Sequence, residues 1–146
     1  MNQIELAIFV SRCVAICEEM GAVLRQAAFS PNIKDRLDFS CALFDSSGEL
    51  FAQAAHVPVH LGSMAFAMAY IVEKRAWAEG DMLIFNDPYL GGTHLPDVTL
   101  VQPQDTVRYG VNHFLLICWR QHLVTKSLDL LRNIPFPGKG RNLQRS

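Results

Sequence analysis

The chain has 146 residues, half of them hydrophobic and 18% charged, which excludes a charge-rich disordered tail. With 9 Gly and 7 Pro it is not collagen-like or low-complexity, and its length fits one domain able to bury a core. A net charge of −1 gives no electrostatic case for nucleic acid or an anionic membrane as partner. The charge is unevenly placed. Residues 1–102 carry 6 Lys/Arg against 12 Asp/Glu, net −6, whereas residues 103–146 carry 7 against 2, net +5.

Residues 3–28 read as an amphipathic helix, with Ile4, Ile8, Val14, Cys17 and Leu24 near helical spacing. Pro31 marks its end. Residues 38–44 read as a strand, Asp45-Ser46-Ser47-Gly48 as a turn and residues 49–53 as the returning strand, so 38–55 forms a hairpin. Pro58 forbids a helix interior, so His56 to His60 is expected to be extended or looped. Ser63 is the expected N-cap of a second helix running to about Trp77. Residues 82–85 read as a buried strand, 86–97 as a Gly/Pro-punctuated loop and 98–101 as another strand. The order α-β-β-α-β-β gives an α+β class: a long N-terminal helix packed on a small, mainly antiparallel sheet. Residues 125–146 are expected to be peripheral.

Cys13, Cys17, Cys41 and Cys118 include no C-x-x-C pair and make no disulfide framework, which suits a reducing, cytoplasmic compartment. The N-terminus lacks a basic segment of the signal-peptide kind. No run approaches the roughly 18 apolar residues of a membrane span.

The loop Asn86-Asp87-Pro88-Tyr89-Leu90-Gly91-Gly92-Thr93-His94-Leu95-Pro96-Asp97 sits between two apolar strands, where loops often carry function. His94 and Asp97 supply an imidazole nitrogen and a carboxylate oxygen, donors that suit Mn, Fe or Zn. Gly91 and Gly92 let the backbone approach a ligand closely. With Asp87 they are the candidate substrate-binding positions. The alternative is structural: Asp87 caps a turn, His94 is a loop histidine and Asp97 tips a strand. Two donors do not complete a metal site.

The run Asn86 to Val101 resembles the signature of the hydantoinase B/oxoprolinase family. So do Glu19-Met20-Gly21, residues 29–34, Asp38-Phe39-Ser40-Cys41-Ala42-Leu43-Phe44-Asp45, and His56-Val57-Pro58-Val59-His60-Leu61-Gly62-Ser63-Met64, in the same order. The resemblance covers about residues 3–102. It implies a piece of a larger domain, since members are several times longer. It also implies a component of an ATP-dependent cyclic-amide hydrolase, opening a lactam or imide. The alternatives are an acetone carboxylase-type subunit and a non-catalytic fragment or interaction module.

By the same resemblance His94 and Asp97 are two ligands of a divalent metal, Mn or Zn. His56 and His60 are the candidate catalytic residues, able to exchange protons near neutral pH. In an extended segment their four-residue offset would put them on one side of the chain. ATP would enter only through an actin-like, hydantoinase A-type partner subunit or domain, and no phosphate-binding loop is present here. The family's later His-His-x-Asp-x-Gly-Gly motif has no match. His122, then His113, are nearest in position to the missing third ligand. The expected organisation is residues 1–102 as the N-terminal part of that domain and 103–146 as a divergent, frame-shifted tail, with a genuine C-terminus as the alternative. Ser63 reads as a cap, and Asp38 as a hairpin residue.

Overall fold

The structure, a computed structural model, describes residues 2–54, 57, 60–78, 81–90, 94, 96–106, 111–120 and 143–145. Three α-helices are described, α1 (Gln3–Ala27), the single-turn α2 (Pro31–Lys34) and α3 (His60–Lys74), together with a 3₁₀ turn at Pro88–Leu90. Six strands form one sheet: β1 (Phe39–Asp45), β2 (Leu50–Ala54), β3 (Met82–Phe85), β4 (Asp97–Thr106), β5 (Val111–Arg120) and β6 (Leu143–Arg145). Their order is β2-β1-β5-β4-β3-β6. Every pairing is antiparallel except that of β3 with β6. This is the expected α+β arrangement of a long helix on a mainly antiparallel sheet.

The start of α1 follows from its sequence. Asn2 Oδ1 accepts from the Glu5 amide at 2.8 Å, and Glu5 Oε2 accepts from the Asn2 amide at 2.9 Å, a reciprocal capping box. Cys13, Cys17, Gly21 and Leu24 are its buried residues, recurring at four- and three-residue steps, so one stripe meets the sheet. The N-terminal turns do not share this burial. Ile4, Leu6, Ile8, Phe9 and Val10 are exposed. Phe9 stacks on Phe51 with ring centroids 6.4 Å apart.

Each face of the sheet has its own core. On the α1 face, Cys13, Cys17, Leu24 and Ile33 pack with Phe39, Cys41, Leu43, Ala52, Ala54 and Leu100. On the other face, Met64, Ala67, Met68 and Ile71 of α3 pack with Ala42, Phe44, Leu83, Phe85 and Val101. β1 is therefore buried on both faces, from Phe39 through Phe44. Its alternate residues serve different cores, which is the period-two rule of a strand. Full burial of a side chain such as Phe44 or Met68 contributes about 1.5–3 kcal/mol.

The hairpin turn closes as its sequence suggests. Asp45 Oδ1 accepts from the Ser47 amide (2.9 Å), the Ser47 hydroxyl (2.7 Å) and the Glu49 amide (2.9 Å). Gly48 has φ +83°, a conformation glycine adopts without penalty.

Two boundaries differ from expectation. α3 begins at His60 and ends at Lys74, not from Ser63 to Trp77. Ser63 is inside the first turn, and its hydroxyl donates back to the His60 carbonyl at 2.9 Å rather than capping the helix. β4 is longer than residues 98–101 and runs through 102 and 103 to Thr106 without a break. Apart from β6, residues 125–146 lie outside the described residues.

Candidate functional site

β1 and β4 are not neighbours. β5 lies between them and runs antiparallel to both, so β1 and β4 point the same way. Phe39 pairs with Trp119, which pairs with Val98; Asp97 pairs with Arg120. Asp38 immediately precedes Phe39 and so falls in the row of Arg120 and Asp97. The backbones at Asp38 and Asp97 are then two strand spacings apart, about 10 Å. Alternation puts Asp38 with Ser40 and Ala42, and Asp97 with Thr99 and Val101, on the α3 face. The N-terminus of α3 brings His60 to this end of the sheet.

Two clusters result. In the first, His60 is 1% exposed, with Nδ1 3.1 Å from Ser40 Oγ and Nε2 3.9 Å from Asp38 Oδ1. Ser40, also fully buried, donates its hydroxyl to the Val57 carbonyl at 3.2 Å. In the second, the His94 amide donates to Asp97 Oδ2 at 2.9 Å, and the Asp97 amide donates to the His94 carbonyl at 3.0 Å. These bonds close a turn that holds His94 Nδ1 3.4 Å from Asp97 Oδ2. The Asp97 side chain is fully buried, whereas that of His94 is 46% exposed. An exposed imidazole beside a fixed carboxylate leaves one flank of the pair open.

The donor chemistry of His94 and Asp97 fits a divalent metal of the Mn or Zn kind. Among the described residues, no group of three His, Cys, Asp or Glu side chains is arranged to hold one. A metal site built on this pair would need at least one more donor. Thiolates do not supply it from the core. Cys13, Cys17 and Cys41 are buried thiols outside any disulfide, and burial pushes the Cys17 thiol up to about 12. It stays protonated and is neither a ready nucleophile nor a ready metal ligand.

The other sequence candidates fare differently. His60 is not in an extended segment beside His56; it is the first residue of α3, because the helix starts two residues after Pro58. His56, Gly91, Gly92 and His122 lie outside the described residues. His113 is on β5, seven residues from Arg120 and so toward the other end of the strand. Asp87 Oδ1 accepts from the Tyr89 amide at 2.8 Å, which engages it in a turn. Asp38 and Ser40 are the residues sequence reasoning underweighted. The run Asp38-Phe39-Ser40 has a polar residue at every second position, and that alternation is the sequence signal that these side chains share one face of the strand end.

Residues 2–123 match the hydantoinase B/oxoprolinase family. The chain belongs to that family. It is 50% identical over 107 residues to 5-oxoprolinase of Saccharomyces cerevisiae, an alignment that covers 70% of this chain and 8% of the yeast protein. The crystal structure of the ATP-dependent caprolactamase from Pseudomonas jessenii superposes with TM-score 0.71 and 28% identity, covering 82% of this chain and 21% of that one. Nucleotide-free acetone carboxylase superposes with TM-score 0.73 at 17% identity, covering 82% of this chain and 16% of that one, which shows a shared fold. This family member therefore spans less than a tenth of the yeast relative. Among the described residues, no helix is long and apolar enough to cross a membrane.

Proposed function

We propose that this chain is part of an ATP-dependent cyclic-amide hydrolase, opening the ring of a lactam or imide of the 5-oxoproline or hydantoin type. The observation that carries the reading is the meeting of two polar clusters, Asp38–Ser40–His60 and His94–Asp97, at one end of the sheet. This occurs in a chain half identical, over its matched residues, to a 5-oxoprolinase. His94 and Asp97 hold a divalent metal, Mn or Zn, with a third ligand from elsewhere. When bound, that metal supplies Lewis-acid polarisation of the ring carbonyl. His60 exchanges a proton with the leaving ring nitrogen through its Nε2, and Asp38 balances the charge that the imidazole then carries. His56 is a second candidate for proton exchange. Asp87, Gly91 and Gly92 are the candidate binding residues for the small cyclic substrate. ATP is handled by an actin-like, hydantoinase A-type partner subunit or domain, in the cytoplasm, where the core thiols stay reduced.

Because the chain is a small share of its relatives' length, we infer that alone it turns nothing over. The test is a chimaera in which residues 3–102 replace the matching segment of the yeast 5-oxoprolinase. ATP-dependent release of glutamate from 5-oxoproline is expected. His94→Ala and Asp97→Ala should each lower it by at least a hundredfold, together with the content of bound metal, as is usual when a metal's ligands are lost. A folded chimaera without activity, or full activity in both variants, overturns the proposal. Ring opening by the 146-residue chain with ATP and Mn overturns the inference that it is inactive alone.

A further inference from the structure

We propose that the solvent face of α1 from Ile4 to Ala15 docks a second copy of this chain, the two helices packing antiparallel about a two-fold axis beside Ile8. At about 100° per residue, the buried stripe of Cys13, Cys17 and Leu24 lies on one side of the helix and Ile4, Ile8, Ser11 and Ala15 lie on the other. These four follow one another at steps of four, three and four, the seam spacing of paired helices. All four are exposed, Ile4 by 72% and Ile8 by 50%. With Ala7 and Arg12 they line an open groove along the helix. The small side chains of Ala7, Ser11 and Ala15 let a second helix approach to the short end of the usual range of about 8–10 Å between axes.

The charges choose the orientation and the register. Glu5 and Arg12 are seven residues apart, so they share one flank of the seam and are about 10 Å apart along the helix. No Lys or Arg stands three or four positions from Glu5, and no Asp or Glu stands there from Arg12, the spacings at which a helix pairs its own charges. Two antiparallel helices related by a two-fold axis set like flanks together. With the axis level with the midpoint of residues 8 and 9, Glu5 lies level with the partner's Arg12, and Arg12 with the partner's Glu5.

The same register interleaves the two seams. Ile4 falls between the levels of the partner's Ser11 and the partner's Ala15, a branched side chain against two small ones, and the two Ile8 side chains meet at the axis. Opposite charges and large-against-small packing thus select one register. A parallel pair meets neither requirement. It would set the flank of Glu5 and Arg12 against the opposite flank, where Gln3, Ala7 and Val14 lie, and would stack each seam residue on its own copy. The antiparallel contact spans about 20 Å of each helix, which is small for a specific interface, so the dimer exchanges with monomer.

This inference is independent of the hydrolase reading. Sedimentation velocity of the 146-residue chain over a concentration series is expected to show a monomer–dimer equilibrium. Arg12→Glu should weaken it at least tenfold by setting like charges across the axis. Mixing Arg12→Glu with Glu5→Lys should restore dimers of unlike chains, because each position then meets an opposite charge. Under mild oxidation Ile8→Cys should give a disulfide-linked dimer. Ile4→Cys should not link to its own copy, which stands roughly 13 Å away along the axis, too far for the bond. A chain that is monomeric at every concentration, its α1 face then serving a different protein, overturns the proposal. So does a dimer indifferent to Arg12→Glu, a mixture that associates no better than either variant alone, or Ile4→Cys cross-linking as readily as Ile8→Cys. The cysteine variants keep every charge and the capping box, so they decide if a charge variant loses its helix.

Discussion

Asp45 shows how much one carboxylate can settle. The Ser47 hydroxyl, then the backbone amides around the turn, hold its carboxyl below the ordinary carboxylate range. A group whose folded pKa is lowered adds stability above its unfolded value, about 3.9, and loses it as pH falls through the lower folded value. Asp45→Asn keeps an oxygen acceptor but cannot titrate. Its urea-unfolding stability should lose the wild-type acid decline contributed below about pH 4. Asp45→Ala should cost about 1 kcal/mol at neutral pH. An unchanged acid limb in Asp45→Asn would show that the turn does not distinguish the carboxylate from its amide. This turn was legible in sequence, because Asp-Ser-Ser-Gly carries its own chemistry. The His94 and Asp97 pairing was legible for the same reason: the two donors stand three positions apart at the end of one loop. The contact of His60 with Asp38 and Ser40 was not. Those residues are 20 and more apart, and their meeting depends on where α3 begins and on which face of β1 it covers.

Elements explain both the successes and the misplacement of α3. The hairpin was readable because a short polar turn separates two apolar runs. The start of α3 was not, because Ser63 has the residue type of a cap and instead bonds backward to the His60 carbonyl. Serine does both, and only the backbone path from Val57 decides between them. The same helix presses on the hairpin turn. A Cβ at Gly48 would meet the Met68 carbonyl oxygen at 3.2 Å, with φ already at +83°. Gly48→Ala should therefore cost about 1–2 kcal/mol, more than an open turn would. Phe44→Ala, in the core beneath it, should cost about 3–5 kcal/mol. Equilibrium urea unfolding measures both. A neutral Gly48→Ala would mean that α3 does not bear on the turn.

For the molecule as a whole, α1 is the unusual surface. Its C-terminal half is packed, whereas Ile4 is 72% exposed and Ile8, Phe9 and Ile16 about half exposed. Phe29, just beyond the helix, is 81% exposed. Exposed apolar side chains thus run along α1 and just past its end, the kind of surface that marks association sites. Sedimentation velocity should show concentration-dependent self-association of the 146-residue chain, and a hydrophobic dye should bind it. The double substitution Ile4→Lys, Ile8→Glu should weaken both by several fold. A monodisperse monomer that leaves the dye unbound would show that this face is satisfied within the chain.

The strand order has a consequence in time. Every residue of both polar clusters has left the ribosome by residue 97, yet β1 and β4 have no direct pairing. Both wait for β5, which pairs with all seven residues of β1 and all ten of β4. Until residue 120 emerges, the nascent chain carries the chemistry as two separate strand pairs. The last central strand to be synthesised is the one that closes the distance between them, so the site is assembled by a segment that contributes none of the clustered side chains.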